Sequence, residues 1–170
     1  MRLPGIFLVG AAAVLLAGCA GYHLGPVNGG VAREKSIEIL PFNNQTLQPR
    51  LGDAVTQALR ERMQVDVTYR LATQGAGDVV VSGVITRYHR QGLSFLSKDA
   101  TTTENYRVDI VAHVVVRERA TGKLLLEKNV TAYTLVNVGT DLASSERQAS
   151  PLLAEDLARN IAGLLTDGAW

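Results

Sequence analysis

The chain has 170 residues, 17 of them basic and 16 acidic, for a formal charge of +1 at pH 7. That balance excludes a general electrostatic pull on nucleic acid, and none of the recognised nucleic-acid modules is visible. One cysteine in the whole chain excludes a disulfide framework and a paired-cysteine metal site, and the length suits a single domain.

In chain order, the first segment reads as a processing signal. Arg2 is the only charge before Arg33, and the apolar stretch Ile6 to Ala17 ends in the small pair Ala17 and Gly18. A positive start, a short apolar middle and small residues at the exit describe a secretory leader. The run is too short for a bilayer, which takes about 20 apolar residues. Leu16-Ala17-Gly18-Cys19 resembles the lipobox of bacterial lipoproteins. The resemblance implies cleavage between Gly18 and Cys19 and fatty acylation of the Cys19 thiol, with no other cofactor and no metal. Two or more acyl chains anchor stably where one binds reversibly. Ala20 after the cysteine, rather than Asp, favours the outer membrane by the same resemblance. Residues 1–18 are thus expected to be a signal peptide and 19–35, rich in Gly, a lipidated tether.

Residues 36–170 are expected to form one domain. In "SIEILPF", Ile37 and Ile39 alternate with Glu38 and Leu40, which suits a strand stopping near Pro41. Between Arg50 and Met63, Leu51, Val55, Ala58, Leu59 and Met63 recur at helical spacing and predict an amphipathic helix. A short strand over 65–71 and the turn "TQGAGD" follow. Three long β segments come next, at 78–90, 106–119 and 124–138. In the second, Tyr106, Val108, Ile110, Ala112, Val114 and Val116 share a face that is expected to be buried, against Arg107, Asp109, His113 and Arg117 on a wetter one. Gly122 in "ERATGK" offers the positive φ of a hairpin turn. Ser145 with Gln148 fits a capping box for a last helix whose regular part should begin near Pro151. Its expected buried stripe is Leu153, Leu157, Ile161 and Leu164. The order β-α-β-β-β-β-α predicts an α+β fold: a mainly antiparallel sheet of four to five strands with two helices on one face.

No catalytic constellation emerges. The chain has no Walker loop, no G-x-S-x-G and no H-E-x-x-H, and its three histidines lack ligand spacing, so no enzyme is expected. One stretch stands apart. "TRYHRQGLSFLSKD" places Arg87, Arg90 and Lys98 among Leu93, Phe95 and Leu96, with no acid before Asp99. Read as a strand end and loop, this mixture suits an anionic amphiphile: Arg87, Arg90 and Lys98 would meet phosphates, and Leu93, Phe95 and Leu96 would meet acyl chains or a partner. The competing reading tucks Phe95 and Leu96 onto the domain's own core.

Together these pieces resemble the LptE family of outer-membrane lipoproteins that assemble lipopolysaccharide. The matching stretches are "GCAGYHLGP", "SIEILPFNNQT", "SGVITRYHR", "TTENYRVDIVAHVVV", "TGKLL" and "SERQASPLLAEDLARNIAGLL". The resemblance implies a lipid-anchored protein on the periplasmic side of the outer membrane or inside the lumen of the LptD β-barrel. There it would plug the barrel, aid its assembly and bind lipopolysaccharide. The opening "IEILPFNNQT" is also similar to that of LpoB- and CsgG-like periplasmic lipoproteins, a cell-wall synthase activator and a secretion component. LpoB usually has a long linker, and only residues 20–35 precede the first strand here.

Overall fold

The computed structural model describes residues 35–96, 99–137 and 141–167, and the side chains of all of these except 95–96 and 99–104. Gly18, Cys19 and the leader and tether up to residue 34 lie outside the described residues, as does Lys98. The elements are β1 (Ser36–Ile39), β2 (Asn43–Asn44), α1 (Leu51–Val65), β3 (Arg70–Leu71), β4 (Val79–Leu96), β5 (Asp99–Glu118), β6 (Leu124–Asn137) and α2 (Leu142–Thr166).

The α+β class and both helices are as expected, but the sheet is mixed and six-stranded, in the order β3-β1-β4-β5-β6 with β2 also on β4. β1 runs parallel to both β3 and β4, and β2 parallel to β4, while β4–β5 and β5–β6 are antiparallel. The parallel half follows from α1. A helix between two paired strands carries the chain back to the starting end, which makes β1–α1–β3 a crossover unit. β1 and β2 are one edge of β4 interrupted at Pro41, which has no N–H to give. Leu40 N–H bonds Val81 O (2.9 Å) before the break and Gln45 N–H bonds Ile85 O (3.0 Å) after it. Between them Phe42 turns inward, its N–H on Thr56 Oγ1 at 2.9 Å. The expected strand over 65–71 shrinks to two residues because α1 continues through Val65.

The core lies between one sheet face and the two helices. Val108, Ile110, Ala112, Val114 and Val116 of β5 are buried, and α1 adds Leu51, Val55, Leu59 and Met63. α2 contributes Leu153, Leu157, Ile161 and Leu165; Leu164 is only partly buried. Buried Ala154, Ala158 and Ala162 give α2 a small-residue side.

α2 begins nine residues before Pro151, at Leu142. Asp141 caps it, accepting from Ala143 N–H (3.1 Å) and Ser144 N–H (3.0 Å), in place of the expected Ser145–Gln148 box. Pro151 therefore sits inside the helix and removes one i→i−4 bond, a loss outweighed by the burial of Ala149 and Leu153 on either side of it.

Candidate functional site on the open face of the sheet

No described element covers the second face of the sheet, and β4 decides which residues populate it. Along β4, Val79, Val81, Gly83 and Ile85 face the helices, opposite Val116, Val114 and Ala112 for the last three. At Thr86 the register slips: Ile85 pairs with Ala112, but Arg87 pairs with the very next residue, Val111. Thr86 is a β-bulge, its hydroxyl donating to Val111 O at 3.3 Å. Beyond it the parity reverses. Tyr88 and Arg90 face the helices, while Arg87, His89 and Gln91 face out.

The open face is then laid out in rows by the ladder. Arg87 lies beside Val111 and Thr131, His89 beside Asp109 and Tyr133, and Gln91 beside Arg107 and Leu135. Arg87, His89 and Arg107 border one open depression of about 500 Å³, which Asp109, Val111 and Thr131 also line. Arg107 is held in place: its Nε and Nη2 each lie 2.8 Å from Asp109 Oδ1, and its guanidinium stacks 4.1 Å over the Tyr133 ring. Arg87 makes no ion pair among the described residues. Further along the face, His113 bridges Asn129 (3.0 Å) and Glu127 (3.1 Å).

These positions correct the expected cluster. Residues 91–96 belong to β4 and are not a loop: Phe95 and Leu96 lie on a two-stranded ribbon that β4 and β5 extend beyond β6, while Arg87 and Arg90 lie in the part of the sheet that β6 also reaches. Arg87 and Arg90, three apart on one strand, point to opposite faces. Arg90 reaches α2 and pairs with Glu146 at 3.0 Å. Between them and the core, the Tyr88 hydroxyl is pushed up to about 12, by burial first and by the Glu146 charge second. Leu93 sits at a second register slip and is half exposed. Phe95 and Leu96 are in β4, but their side chains, like Lys98, lie outside what is described. His89 and Arg107 were not singled out in the sequence. Only the alternation of Arg107 and Asp109 on the wet face of β5 pointed toward them.

Elsewhere the side-chain chemistry is structural. Asp78 accepts from Ser36 N–H (2.8 Å) and Oγ–H (2.7 Å), which holds its carboxyl below the usual range and staples β1 to β4. Arg119 pairs with Glu38 and donates to Gly77 O at 2.8 Å. Among the described residues no group of three His, Cys, Asp or Glu could hold a metal, and no helix is long and apolar enough to cross a membrane.

Several solved structures share this fold at low identity. Protein XCC0632 from Xanthomonas campestris aligns with a TM-score of 0.58 and 9% identity over 79% of this chain and 85% of its own. Protein CT253 from Chlamydia trachomatis gives 0.57 and 12% over 78% and 95%. A minor lipoprotein from Acinetobacter baumannii gives 0.52 and 12% over 78% and 92%. No curated protein matches by sequence. The family model described as lipopolysaccharide-assembly, LptE, matches residues 34–165, from the start of β1 to the last turn of α2. The chain belongs to the LptE family.

Proposed function

We propose that this protein is an outer-membrane lipoprotein that serves lipopolysaccharide assembly without catalysis. Residues 1–18 are removed, acyl chains on Cys19 hold the chain to the membrane, and residues 19–35 tether the domain. It lodges in the lumen of the LptD barrel, plugs it, aids its assembly and touches lipopolysaccharide in transit to the outer leaflet. The observation that carries this reading is the family match, which runs through every strand and nearly all of α2. A sheet with one face closed by helices and the other open, basic and partly apolar supports it. So does the two-stranded extension of β4 and β5, which carries the proposed contacts Phe95 and Leu96 beyond β6, with Leu93 just before it and Arg87 and Arg90 further back along β4; the proposed contact Lys98 lies outside the described residues.

Affinity purification of the full chain from its native organism tests the reading. A β-barrel of the size expected for LptD should be retained, and depletion should reduce surface lipopolysaccharide. Normal surface lipopolysaccharide with altered peptidoglycan would overturn it in favour of an LpoB-like activator. Mass spectrometry should find Cys19 acylated and N-terminal; an intact leader or a free thiol there would remove the anchor.

A further inference from the structure

We infer that Arg87, His89 and Arg107 form a phosphate seat on the open face of the sheet, and that the ligand is an anionic amphiphile whose apolar part lies along Tyr133 and Leu135. This deepens the function proposed above and rests on it only for the natural source of the phosphate.

The ladder brings the three side chains together from two strands. Arg87 and His89 are i and i+2 on one face of β4, and Arg107 lies diagonally across from His89 on β5, within reach of long side chains at such positions. All three border the same depression. The acids of the face are already engaged: Asp109 with Arg107, Glu127 with His113, and Glu38 with Arg119. Arg87 thus has no ion-pair partner there among the described residues, and Asp109, the carboxylate that lines the depression, is held through Oδ1 by Arg107. Arg107 is fixed by Asp109 on one edge and the Tyr133 ring below, so its remaining N–H groups are pre-oriented and little freedom is lost on binding. Two guanidinium groups and an imidazole suit the several oxygens of a phosphate better than the two of a carboxylate.

The apolar half of the ligand follows from the next two rows. Tyr133 and Leu135 are 53% and 64% exposed on this face and set two apolar side chains beside the basic depression. The helix-side arginine makes the contrast: Arg90 points to the other face of the sheet and pairs there with Glu146 of α2.

The test uses the full chain purified in a non-ionic detergent and three probes: lipopolysaccharide micelles, phosphatidylcholine vesicles with and without phosphatidylglycerol, and inorganic phosphate as competitor. Binding to one of the two amphiphiles is expected, with competition by phosphate, and which one binds identifies the source. Arg87→Glu should weaken it by about tenfold or more, as loss of a charge-assisted contact does. Arg117→Glu changes net charge equally at the far end of the same face and should leave binding within about twofold, a range set by screened long-range charge. Arg107→Leu should resemble Arg87→Glu. Circular dichroism checks folding, and Arg87, exposed and in no ion pair among the described residues, can be reversed without disturbing the core. Equal loss in Arg87→Glu and Arg117→Glu, no loss in Arg87→Glu, or binding to neither amphiphile would overturn the inference. If Arg87→Glu loses the amphiphile but still retains the barrel, the seat stands apart from the plug. If the barrel is never retained while the seat binds, the function proposed above fails and the seat remains.

Discussion

Replacing Gly83 by alanine should destabilise the domain, although alanine is ordinarily the better strand residue. Gly83 lies in β4 opposite Val114, and the Phe42 ring covers it from the helix side. A β-carbon at Gly83 would stand 2.2 Å from Phe42 Cε1, 2.6 Å from Cδ1 and 2.7 Å from Cζ. Carbon atoms rest about 3.5–4.0 Å apart, so the ring must retreat by roughly 1.5 Å. It has little room to do so, being 5% exposed and held at its own N–H by Thr56. Overpacking of this kind costs about 1–3 kcal/mol, and the entropy recovered on leaving glycine offsets about 0.5–1 kcal/mol. A net loss of about 1 kcal/mol should lower the thermal midpoint by roughly 3–5 °C for a domain of this size. Phe42→Ala alone should cost about 3–5 kcal/mol by leaving a cavity. In the double variant the new methyl group enters that cavity, so the two losses should fall short of additive by at least about 1 kcal/mol. Urea melts of the four proteins measure the cycle. A neutral or stabilising Gly83→Ala, or an additive cycle, would refute the packing argument.

Three further outcomes follow from the same structure. Pro151→Ala restores an interior helix bond and should raise the thermal midpoint of α2 and the domain by a few degrees, on a gain of about 2 kcal/mol after the unfolded-state term; a calorimetric midpoint that falls would refute the view that the missing bond is a net cost. The Asp141 carboxyl is held below the usual range first by Ser144 Oγ and then by the two backbone N–H groups it caps. Its contribution is therefore present above about pH 4, the unfolded carboxyl value, and fades as pH drops through the lower folded value. Amide exchange at Ala143 and Ser144, corrected for intrinsic rates, should accelerate on acidification, and in Asp141→Asn that acceleration should vanish. Tyr88 and Tyr69 are both pushed up to about 12, chiefly by burial. Unfolded tyrosines ionise near pH 10, so stability present below that value is lost as pH climbs toward 12. Tyr88→Phe should flatten the thermal midpoint between pH 9 and pH 11, and an unchanged slope would exclude Tyr88 as a contributor.

Local periodicity carried most of the fold. The alternation from Tyr106 to Val116 was readable because β5 is central, with one face under the helices and the other in the open, so each residue's side is written in its polarity. The α1 stripe was readable for the same reason. Pairing partners were not. Nothing in "SIEI" distinguishes a strand parallel to β4 from one antiparallel to it, since both bury Ile37 and Ile39. Helix ends failed where two signals competed. Pro151 suggested a start, whereas Asp141 supplied a cap whose two bonds come without any bulk to bury. Leu164 and Leu165 both fit a 3.6-residue period, and only packing selects the second. The candidate site was half legible: Arg87 stood out by composition, while His89 and Arg107 required the cross-strand register.

That register turns on one residue. A strand without the bulge at Thr86 would keep the parity of Val81, Gly83 and Ile85, and would set Arg87 and His89 against α2 and Tyr88 and Arg90 on the open face. An arginine and a histidine would then have to lose water beneath a helix whose nearby acid is Glu146, while a half-buried tyrosine would lose its cover. The inserted residue avoids both costs. It also gives two otherwise similar arginines different roles. Arg90 pairs with Glu146 and ties β4 to α2, while Arg87 makes no ion pair among the described residues and borders the same depression as the immobilised Arg107. A small ladder defect in a long strand thereby separates the half of the sheet that stabilises the domain from the half that is free to bind.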